Sequence, residues 1–351
     1  RQRQMCIRDR TYTGLGEIRT QTDNLGRVLT YTFDTLGRLK TLKSEDGTST
    51  RTSTWTWDTA ANGFGKLKSR SKTGFTETYT YNSDSRLSSA VTSITPIGGS
   101  TSTNYTTSHT YDSDGRPHTT TYPGGFVVTR TYNASGYLSQ LKDGATAIQT
   151  INDLDAFGNS VDESFANGVG TLRTFDPETG RLTDVNTTKG STVFQNNDYA
   201  WRSNGTLESR IANPSTAAAT TRKETFGYDV LNRIELAETF INGSNTRDLA
   251  YGYNLLGNIT SKTSTLAGDT DVTGQAYGAG APGPHAITSA TIEGVGHTLT
   301  YNGNGAVTKY DIAGTSDDKY IDYNEFNQPT TIVVGGSLTD TTPVALSLIH
   351  I

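Results

Sequence analysis

One short pattern recurs along most of the 351 residues of the chain. An aromatic residue is followed by Asp or Asn, by two or three spacers, by Gly, and then by a polar and an aliphatic residue. The clearest copies begin at Phe33, Tyr132, Phe175 and Tyr253. Most neighbouring copies begin about 21–30 residues apart, which is a period typical of repeat arrays. The chain is therefore predicted to stack many similar units.

Looser copies of the pattern fill most of the remaining sequence. They begin at Trp57, Tyr81, Tyr111, Leu154, Trp201, Tyr228, Tyr301 and Tyr323, with a degenerate copy near Tyr277. We take the aromatic, Asp or Asn, and Gly positions as candidate structural anchors: Phe33, Asp34, Gly37, Trp57, Asp58, Tyr81, Asn82, Tyr111, Asp112, Gly115, Tyr132, Asn133, Gly136, Phe175, Asp176, Gly180, Tyr228, Asp229, Tyr253, Asn254, Gly257, Tyr301, Asn302, Tyr323 and Asn324.

Each copy is predicted to contain two strands and two turns. Aromatic and small residues alternate before the anchor, as in Tyr31-Thr32-Phe33, so two rings share one strand face. The Asp or Asn bonds the backbone two residues on, and Gly supplies a positive φ. A return strand follows, as at 39–42, and a second turn such as Asp46-Gly47 or Asp143-Gly144 sends the chain back. Rings of successive hairpins are expected to stack.

Composition narrows the fold class to all-β. Charged residues are only 19% of the chain, which argues against disorder, and the 18 Tyr, 11 Phe and 3 Trp provide surface for packing. Thr is the commonest residue and there are 37 Gly, whereas a helical protein is rich in Ala, Leu, Glu and Lys. We predict repetitive β-hairpins that form one extended sheet.

Charge and hydropathy exclude two kinds of partner. The net charge is −5 and the pI is about 5.6, without the basic face that nucleic-acid binding needs. No apolar run approaches the roughly 18 residues of a membrane helix. We therefore expect neither nucleic acid nor a membrane span.

The two ends of the sequence are expected to be foreign to the protein. Codons for 346–351 have a reverse complement that contains codons for Met5–Asp9, and the shared string resembles a transposase-type sequencing adapter. We expect residues 1–10 and 346–351 to be adapter-derived. The repeat array then covers 11–334, with a degenerate copy at about 268–300, and 335–345 begin the next segment. Cys6, the only cysteine, falls in the first foreign stretch, so disulfides and thiol catalysis are not expected.

Other motifs give little support for chemistry. The G-x-G-x-x-G string at 278–283 contains Pro282, which disrupts the helix that a dinucleotide loop requires. Asp112-Ser113-Asp114-Gly115 begins like a calcium loop but lacks the later ligands. Paired carboxylates such as Asp317-Asp318 or Asp162-Glu163 are expected on a solvated surface. No nucleophile elbow or P-loop is found.

The histidines do not form a metal-ligand pattern. No pair has the helix-based spacing of a zinc site, and no cysteine assists; the residues concerned are His109, His118, His285 and His297. His285, in a Gly-Pro-His loop, is expected to shape a turn. We expect no cofactor, no metal site and no enzyme activity within this stretch.

The repeats resemble the YD repeat of the Rhs family, which includes bacterial polymorphic toxins, C subunits of insecticidal toxin complexes, wall-associated proteins and teneurins. The resemblance covers nearly all of Thr11 to about Val334. Residues 11–16 with 22–27 look like a frequent bacterial opening, and 57–67 look like a familiar variant. Residues 277–288, continued by 302–305, resemble the segment that often precedes the conserved core of bacterial members.

The resemblance implies a fold and a role. In the family, such repeats form a long β-sheet that spirals into a hollow shell around a C-terminal toxic domain. A core after the repeats closes the shell and in many members carries aspartates of self-cleavage. Its Asp-Pro-x-Gly signature is missing from this sequence, so no residue of that core can be assigned here.

Three functions remain in competition at this stage. The first is a section of the shell of a secreted bacterial toxin, with the toxin of the same parent protein as its enclosed partner and with secretion machinery or toxin-complex subunits as further partners. The second is a wall- or surface-associated protein that binds carbohydrate or neighbouring cells. The third is an enzyme within this stretch, which a compact insertion with a His or carboxylate cluster would indicate. The first two imply a secreted or cell-surface bacterial location.

Overall fold

The computed structural model of the chain describes residues 9–45, 50–96, 98–213, 220–278, 283–324 and 326–335. The predicted turn at Asp46-Gly47, residues 279–282 of the glycine-rich string, most of 335–345 and the expected foreign end at 346–351 lie outside the described residues. Of the other expected foreign end, Asp9 and Arg10 are described and form the start of the first strand.

The described residues form 28 strands, and none of them is helical, which confirms the all-β prediction. The strands are β1 (Asp9–Tyr12), β2 (Ile18–Thr22), β3 (Val28–Phe33), β4 (Leu39–Glu45), β5 (Thr50–Trp57), β6 (Leu67–Lys72), β7 (Phe75–Tyr81), β8 (Leu87–Ile94), β9 (Thr103–Tyr111), β10 (Pro117–Thr121), β11 (Val127–Tyr132), β12 (Leu138–Asp143), β13 (Thr146–Leu154), β14 (Ser160–Phe165), β15 (Gly170–Phe175), β16 (Leu182–Lys189), β17 (Thr192–Trp201), β18 (Leu207–Ala212), β19 (Arg222–Tyr228), β20 (Ile234–Ile241), β21 (Ser244–Tyr253), β22 (Ile259–Ser264), β23 (Val272–Tyr277), β24 (Ile287–Ile292), β25 (Val295–Tyr301), β26 (Val307–Ile312), β27 (Lys319–Tyr323) and β28 (Pro329–Val334).

The chain divides into two compact units. The first consists of Arg1–Trp55 and Leu249–Ile351, and the second of Thr56–Asp248, so the boundaries fall within β5 and β21. In the first unit, β1 to β5 and β21 to β28 are antiparallel ladders of consecutive strands. In the second unit, β6 to β20 form a ladder of the same kind.

Because each strand pairs with the next one in sequence, turns after odd-numbered strands lie on one edge of a ladder and turns after even-numbered strands lie on the other. We call the first kind anchor turns, since each follows an anchor residue at the end of its strand. The second kind are return turns. One such return turn is at Asp143-Gly144, where the sequence predicts it, and Gly144 has a φ of 56°.

A β-bulge precedes nearly every anchor residue. In the first clear copy, Thr32 pairs with Thr41 but Phe33 pairs with Leu39, so Lys40 is an extra residue on the return strand. The same shift occurs before Tyr81, Tyr132, Phe175, Trp201, Tyr228, Tyr253, Tyr301 and Tyr323. A bulge adds local twist and turns the strand end, so the anchor turns are re-aimed in the same way in each copy.

Burial is sparse and mostly polar. Among the described residues, the buried apolar side chains are Leu29, Val128, Val185, Ala290 and Val333, whereas ten buried side chains are polar or charged. The rings of Tyr31 and Phe33 are half-buried while Thr32 between them is exposed, as the alternation predicts. Stability must therefore come from ladder and turn hydrogen bonds spread over many copies, since no concentrated apolar core is present among these residues.

Candidate functional site

The anchor turn is the structural unit that recurs most regularly. Each of the ten aromatic anchors is the last residue of an odd-numbered strand: Phe33, Trp57, Tyr81, Tyr111, Tyr132, Phe175, Tyr228, Tyr253, Tyr301 and Tyr323. The Asp or Asn anchor follows at once and begins the turn. The candidate anchors are therefore dispersed along one edge of the ladders, and the structure does not gather them into one pocket.

Asp34 shows how the turn is built. Its Oδ1 accepts hydrogen bonds from the N–H groups of Leu36 at 2.9 Å and of Arg38 at 3.0 Å, and Arg38 Nε donates to Oδ2 at 2.7 Å. The bond to the residue two positions on is the one that the sequence predicts. The Arg38 side chain and these backbone donors hold the pKa of Asp34 below its ordinary value. One carboxylate thus satisfies two backbone donors and a guanidinium.

Other anchors repeat this arrangement with small variations. The same pair of backbone bonds to Oδ1 is formed at Asn82, Asp112, Asn133, Asp229, Asn254, Asn302 and Asn324. Asp176 bonds the N–H groups two and three residues on, because its turn is one residue longer. Asp58 instead caps a wide loop, where Gly65 N–H donates to its Oδ1 at 2.6 Å.

The glycine of the turn has the positive φ that the pattern predicts. Gly37 has a φ of 74°, and the other anchor glycines are at Gly115, Gly136, Gly180 and Gly257, all with positive φ. Three copies have no glycine there, and Ser85, Asn232 and Asn327 adopt φ values of 59° to 60° instead.

Successive copies are joined by the tip of the anchor side chain. Tyr111 donates its hydroxyl to the carbonyl of Leu87 at 2.8 Å, and Leu87 is the first residue of the previous return strand. The equivalent bonds are Tyr81 to Leu67, Tyr132 to Pro117, Trp201 Nε1 to Leu182, Tyr228 to Leu207, Tyr277 to Ile259, Tyr301 to Ile287 and Tyr323 to Val307. Nothing in the repeat pattern indicated this bond.

An arginine, rather than a second ring, covers several anchor rings. The guanidinium of Arg86 lies 5.4 Å from the centroid of the Tyr111 ring, and that of Arg116 lies 4.3 Å from the Tyr132 ring. In both pairs the arginine belongs to the preceding anchor turn. Gly115 permits the approach, because a Cβ there would lie 2.2 Å from Arg86 Nη2. The ring stacking expected from the sequence is thus replaced at these positions by cation–π contacts.

One set of turn contacts joins residues that are far apart in sequence. Within the first unit, the return turn after β2 meets the anchor turns after β25 and β27. We call these contacts the clasp; its residues are Asp23, Asn24 and Arg27 on one side and Gly303, Asn304, Asn324 and Asn327 on the other.

Asp23 and Asn24 form the first half of the clasp. Asn304 Nδ2 donates to Asp23 Oδ2 at 2.6 Å, across 281 positions of sequence. Asn24 N–H donates to Asn304 Oδ1 at 3.1 Å, and Asn24 Nδ2 donates to the Gly303 carbonyl at 2.8 Å. Burial acts to raise the pKa of Asp23, but the hydrogen bonds from Asn304 and Arg27 outweigh it and lower the pKa.

Arg27 forms the second half of the clasp. Its Nε donates to Asp23 Oδ2 at 2.7 Å, its Nη2 donates to Asn327 Oδ1 at 3.1 Å, and its Nη1 donates to the Asn324 carbonyl. Arg27 is only 8% exposed and Asn304 only 9%. A buried guanidinium that donates to three acceptors is a specific contact, because each lost partner would leave charge or donors unsatisfied.

The remaining candidate groups are engaged in local contacts. His109 Nδ1 lies 3.4 Å from Thr120 Oγ1, His118 Nδ1 lies 3.2 Å from the Arg130 carbonyl and His297 Nδ1 lies 2.7 Å from the Tyr310 hydroxyl. His285 contacts the Asn258 side chain in the preceding anchor turn. In the described part of the chain, no group of three or more His, Cys, Asp or Glu residues is placed to bind a metal ion.

Two clusters that contain carboxylates include a group with a raised pKa, but neither cluster forms a catalytic or metal-binding site. Burial and the hydrogen bond with Glu77 raise the pKa of Tyr79 to about 12, and Arg70 donates to the same carboxylate. Asp184 lies directly across the ladder from Asp198, and burial together with that neighbouring carboxyl raises the pKa of Asp184. Glu77, Tyr79 and Asp184 are half-buried, whereas Arg70 and Asp198 are exposed. No helix among the described residues is long and apolar enough to cross a membrane.

Comparison with known proteins agrees with this picture. Residues 12–50 match the family model of the RHS repeat. The TcdB2-TccC3-TEV crystal structure is similar over 93% of this chain, with a TM-score of 0.67 and 16% identity. The TcdB2-TccC3-Cdc42 and TcdB2-TccC3 crystal structures are similar over 92% and 91% of it, each with a TM-score of 0.68 and 17% identity.

The similar region covers most of this chain but only a small part of each of these structures. The chain corresponds to 19% of the length of each of these three structures. No curated protein matches the sequence. The family match and the shared fold confirm the resemblance to the Rhs repeat family.

Proposed function

We propose that this chain, a structural repeat region of the Rhs type, is one section of the wall of a β-shell that encloses a toxin. The enclosed toxin is a C-terminal domain of the same parent protein, outside this sequence. The parent is a secreted bacterial protein, and secretion machinery or toxin-complex subunits are its further partners. The function of the repeats is containment.

The clasp is the observation on which this proposal rests. A closed wall requires contacts between parts of the sheet that are far apart in sequence. The clasp provides such contacts, because it joins an early return turn to late anchor turns across 279 to 300 positions of sequence. A linear array that presents separate binding surfaces needs only contacts between neighbouring copies. The hydrogen bonds from Tyr and Trp anchors to the previous return strand join neighbouring copies of the repeat.

The chemistry of the surface supports containment over catalysis. The candidate anchors are spread along turn edges, and the histidines contact separate local partners. A catalytic site requires several groups that converge on one reacting atom. We propose that this stretch has no enzyme activity of its own.

The test begins with the source DNA. Long-read sequencing past codon 345 is expected to show a continuous reading frame that encodes an Asp-Pro-x-Gly core and then a variable domain. A frame that continues through further repeats to a wall anchor would contradict the proposal.

The encoded parent protein then permits a functional test. Its C-terminal domain should resist trypsin within the intact parent at least ten times longer than the same domain expressed alone. Equal digestion rates would show that the repeats do not enclose it, even if the domain order is as expected.

One observation favours the alternative of a surface protein that binds carbohydrate. Tyr122 and Phe126, at a return turn of the second unit, are exposed aromatic rings whose centroids lie 6.3 Å apart. Exposed rings can stack on the apolar faces of sugars. Under this alternative, glycan-array binding of the chain would be lost in Tyr122→Ala/Phe126→Ala, whereas the containment proposal expects no specific glycan.

A further inference from the structure

A cleft lies on one face of the second unit, where β18, β19 and β20 are neighbours. Its volume is about 450 Å³, which is within the range of small-molecule sites. In the ladder, Lys223 pairs with Ile211 of β18 and with Phe240 of β20, and Thr225 pairs with Glu238. These side chains therefore project from the same face of the sheet. The side chains that line the cleft are those of Ile211, Thr221, Lys223, Thr225, Glu238 and Phe240.

The cleft contains two opposite charges that do not pair with each other. Lys223 and Glu238 are diagonal neighbours, because Lys223 lies across from Phe240 and Glu238 stands two residues before Phe240 on β20. Side chains at diagonal positions begin about 7–8 Å apart. Among the described residues, the Lys223 ammonium has no hydrogen-bond or ion-pair partner, and Glu238 accepts one hydrogen bond, from Thr225 Oγ1 to its Oε2 at 2.8 Å. A cation and an anion thus flank the same ring, each with capacity for a further partner.

Most of the cleft is held in place by the surrounding ladder. Ile211, Glu238 and Phe240 are half-buried, whereas Lys223 is exposed. At the end of the cleft nearest the return turn after β20, the N–H of Thr221 donates to Asn242 Oδ1 at 2.9 Å, and the N–H of Asn242 donates to the Thr221 carbonyl at 2.9 Å. The entropy lost on binding a ligand therefore falls mainly on the Lys223 side chain.

We propose that this cleft binds a small zwitterion with an apolar body, of the class of aromatic and branched-chain α-amino acids. The ligand carboxylate accepts from the Lys223 ammonium, and the ligand ammonium donates to Glu238. The apolar body of the ligand packs over Phe240 and Ile211, where it leaves water. A ligand with a single charge would satisfy only one of the two protein charges, so the zwitterion is the class that complements both.

Saturation-transfer NMR titrations with three related compounds test the class of ligand. L-phenylalanine is expected to saturate one site, with the strongest transfer from the protein to its ring protons. Phenylalaninamide lacks the carboxylate and 3-phenylpropionate lacks the ammonium. Each analogue should bind about fivefold more weakly than L-phenylalanine, because each loses one solvent-accessible ion pair.

Two variants locate the ligand in the cleft. Lys223→Met keeps an apolar stem and should weaken L-phenylalanine about fivefold while leaving phenylalaninamide unchanged. Glu238→Gln keeps an acceptor for Thr225 and should weaken L-phenylalanine while leaving 3-phenylpropionate unchanged. Glu208→Gln is the matched control, because Glu208 is exposed on the same strand as Ile211 but does not line the cleft.

All three variants should keep the melting temperature of the wild type, which shows that each is folded. Three outcomes would overturn the proposal: no saturation transfer from the wild-type protein to L-phenylalanine, equal affinities for the three compounds, or a loss of affinity in Glu208→Gln as large as that in Lys223→Met.

Discussion

At the residue scale, each anchor turn depends on one side-chain oxygen and one left-handed backbone position. The Asp34 carboxylate satisfies two N–H groups that the turn would otherwise leave without partners, and Gly37 adopts a φ of 74°. Residues other than glycine adopt this left-handed conformation at a cost of roughly 1–2 kcal/mol, although Asn does so more readily. Copies of one turn with different residues therefore form a natural series for comparison.

Substitutions at Gly37 and Ser85 should shift stability in opposite directions. Gly37→Ala should lower the free energy of unfolding by about 1 kcal/mol, because a Cβ at this φ is strained while its nearest neighbour, Glu17 Oε1, is 3.4 Å away and does not clash. Ser85→Gly should raise it by about 0.5 kcal/mol, because strain at a φ of 60° is relieved against the greater chain entropy of glycine. Denaturant unfolding measures both, and a shift of the same sign in the two variants would contradict this account.

The turn carboxylates should make the protein less stable in acid. The Arg38 side chain and backbone donors lower the pKa of Asp34 from an ordinary value of 3.8, so its contribution to stability is complete above that value and is lost as the pH falls through the lowered pKa. Asp34→Asn keeps the Oδ1 acceptor, as the natural copies at Asn82 and Asn133 do, and removes the titration. Its melting temperature should fall less between pH 5 and pH 2 than that of the wild type. An equal fall in the Asp34→Asn variant and in the wild type would contradict this account.

The repeat pattern predicts the Asx bonds and the glycine conformation but not every residue that substitutes for glycine. Ser85, Asn232 and Asn327 occupy the glycine place in copies whose spacing is otherwise regular. Aligning the copies identifies these positions. That Ser85 accepts a positive φ could not be predicted from its intrinsic preference, because the bonds of Asn82 determine the turn.

At the element scale, many hairpins are linked by a hydrogen bond from the tip of a Tyr or Trp anchor, and at some anchors an arginine also lies above the ring. The sequence predicts where the strands end, since each anchor aromatic is the last residue of its strand. It does not predict the bulge before the anchor or the acceptor of the tyrosine hydroxyl. Both depend on cross-strand register, and the pattern within a single strand contains no information about register.

The hydroxyl of an anchor tyrosine should contribute measurably to stability. Tyr111→Phe removes the donor to the Leu87 carbonyl and should lower the free energy of unfolding by about 1 kcal/mol. Tyr122→Phe is the matched control, because the Tyr122 hydroxyl has no hydrogen-bond partner among the described residues and its ring is exposed. Thermal unfolding distinguishes the two. Equal loss in both variants would mean that the bond between copies contributes nothing.

At the scale of the whole molecule, the clasp is the feature that could not be predicted from the sequence. The sequence predicts one more repeat turn at Asp23, Asn24 and Arg27. Nothing in that turn indicates that its partners lie near residues 303 and 327. The repeat pattern is local, whereas the clasp depends on how the ladders β1 to β5 and β21 to β28 of the first unit lie against each other. The clasp is therefore a property of the assembled array.

Removing Arg27 should lower the free energy of unfolding more than removing an arginine whose contacts stay within one edge of a ladder. Arg27→Ala leaves the buried Asp23 carboxylate without its ionic partner and removes the contacts with the anchor turn after β27, so we expect the free energy of unfolding to fall by about 3 kcal/mol. Arg116→Ala removes a similar pair with Asp112 in a more exposed turn and should have a smaller effect. Chemical unfolding of both variants provides the comparison. A loss from Arg27→Ala no greater than that from Arg116→Ala would show that the clasp is weak.

Disulfide trapping of the clasp tests most directly whether the early repeats are fastened to the late ones. A Cβ at Gly303 would lie 3.4 Å from Asn24 Cβ, which is close to the separation in a disulfide. In a Cys6→Ser background, Asn24→Cys/Gly303→Cys should oxidise at low protein concentration to a monomer closed by a loop of about 280 residues, which migrates faster than the reduced chain on non-reducing gels. Gly14→Cys/Gly303→Cys is the control that should stay linear, because a Cβ at Gly14 meets nothing within 4 Å. If Asn24→Cys/Gly303→Cys remains a linear monomer, or links only between molecules, the clasp does not form and the wall proposal loses its main support.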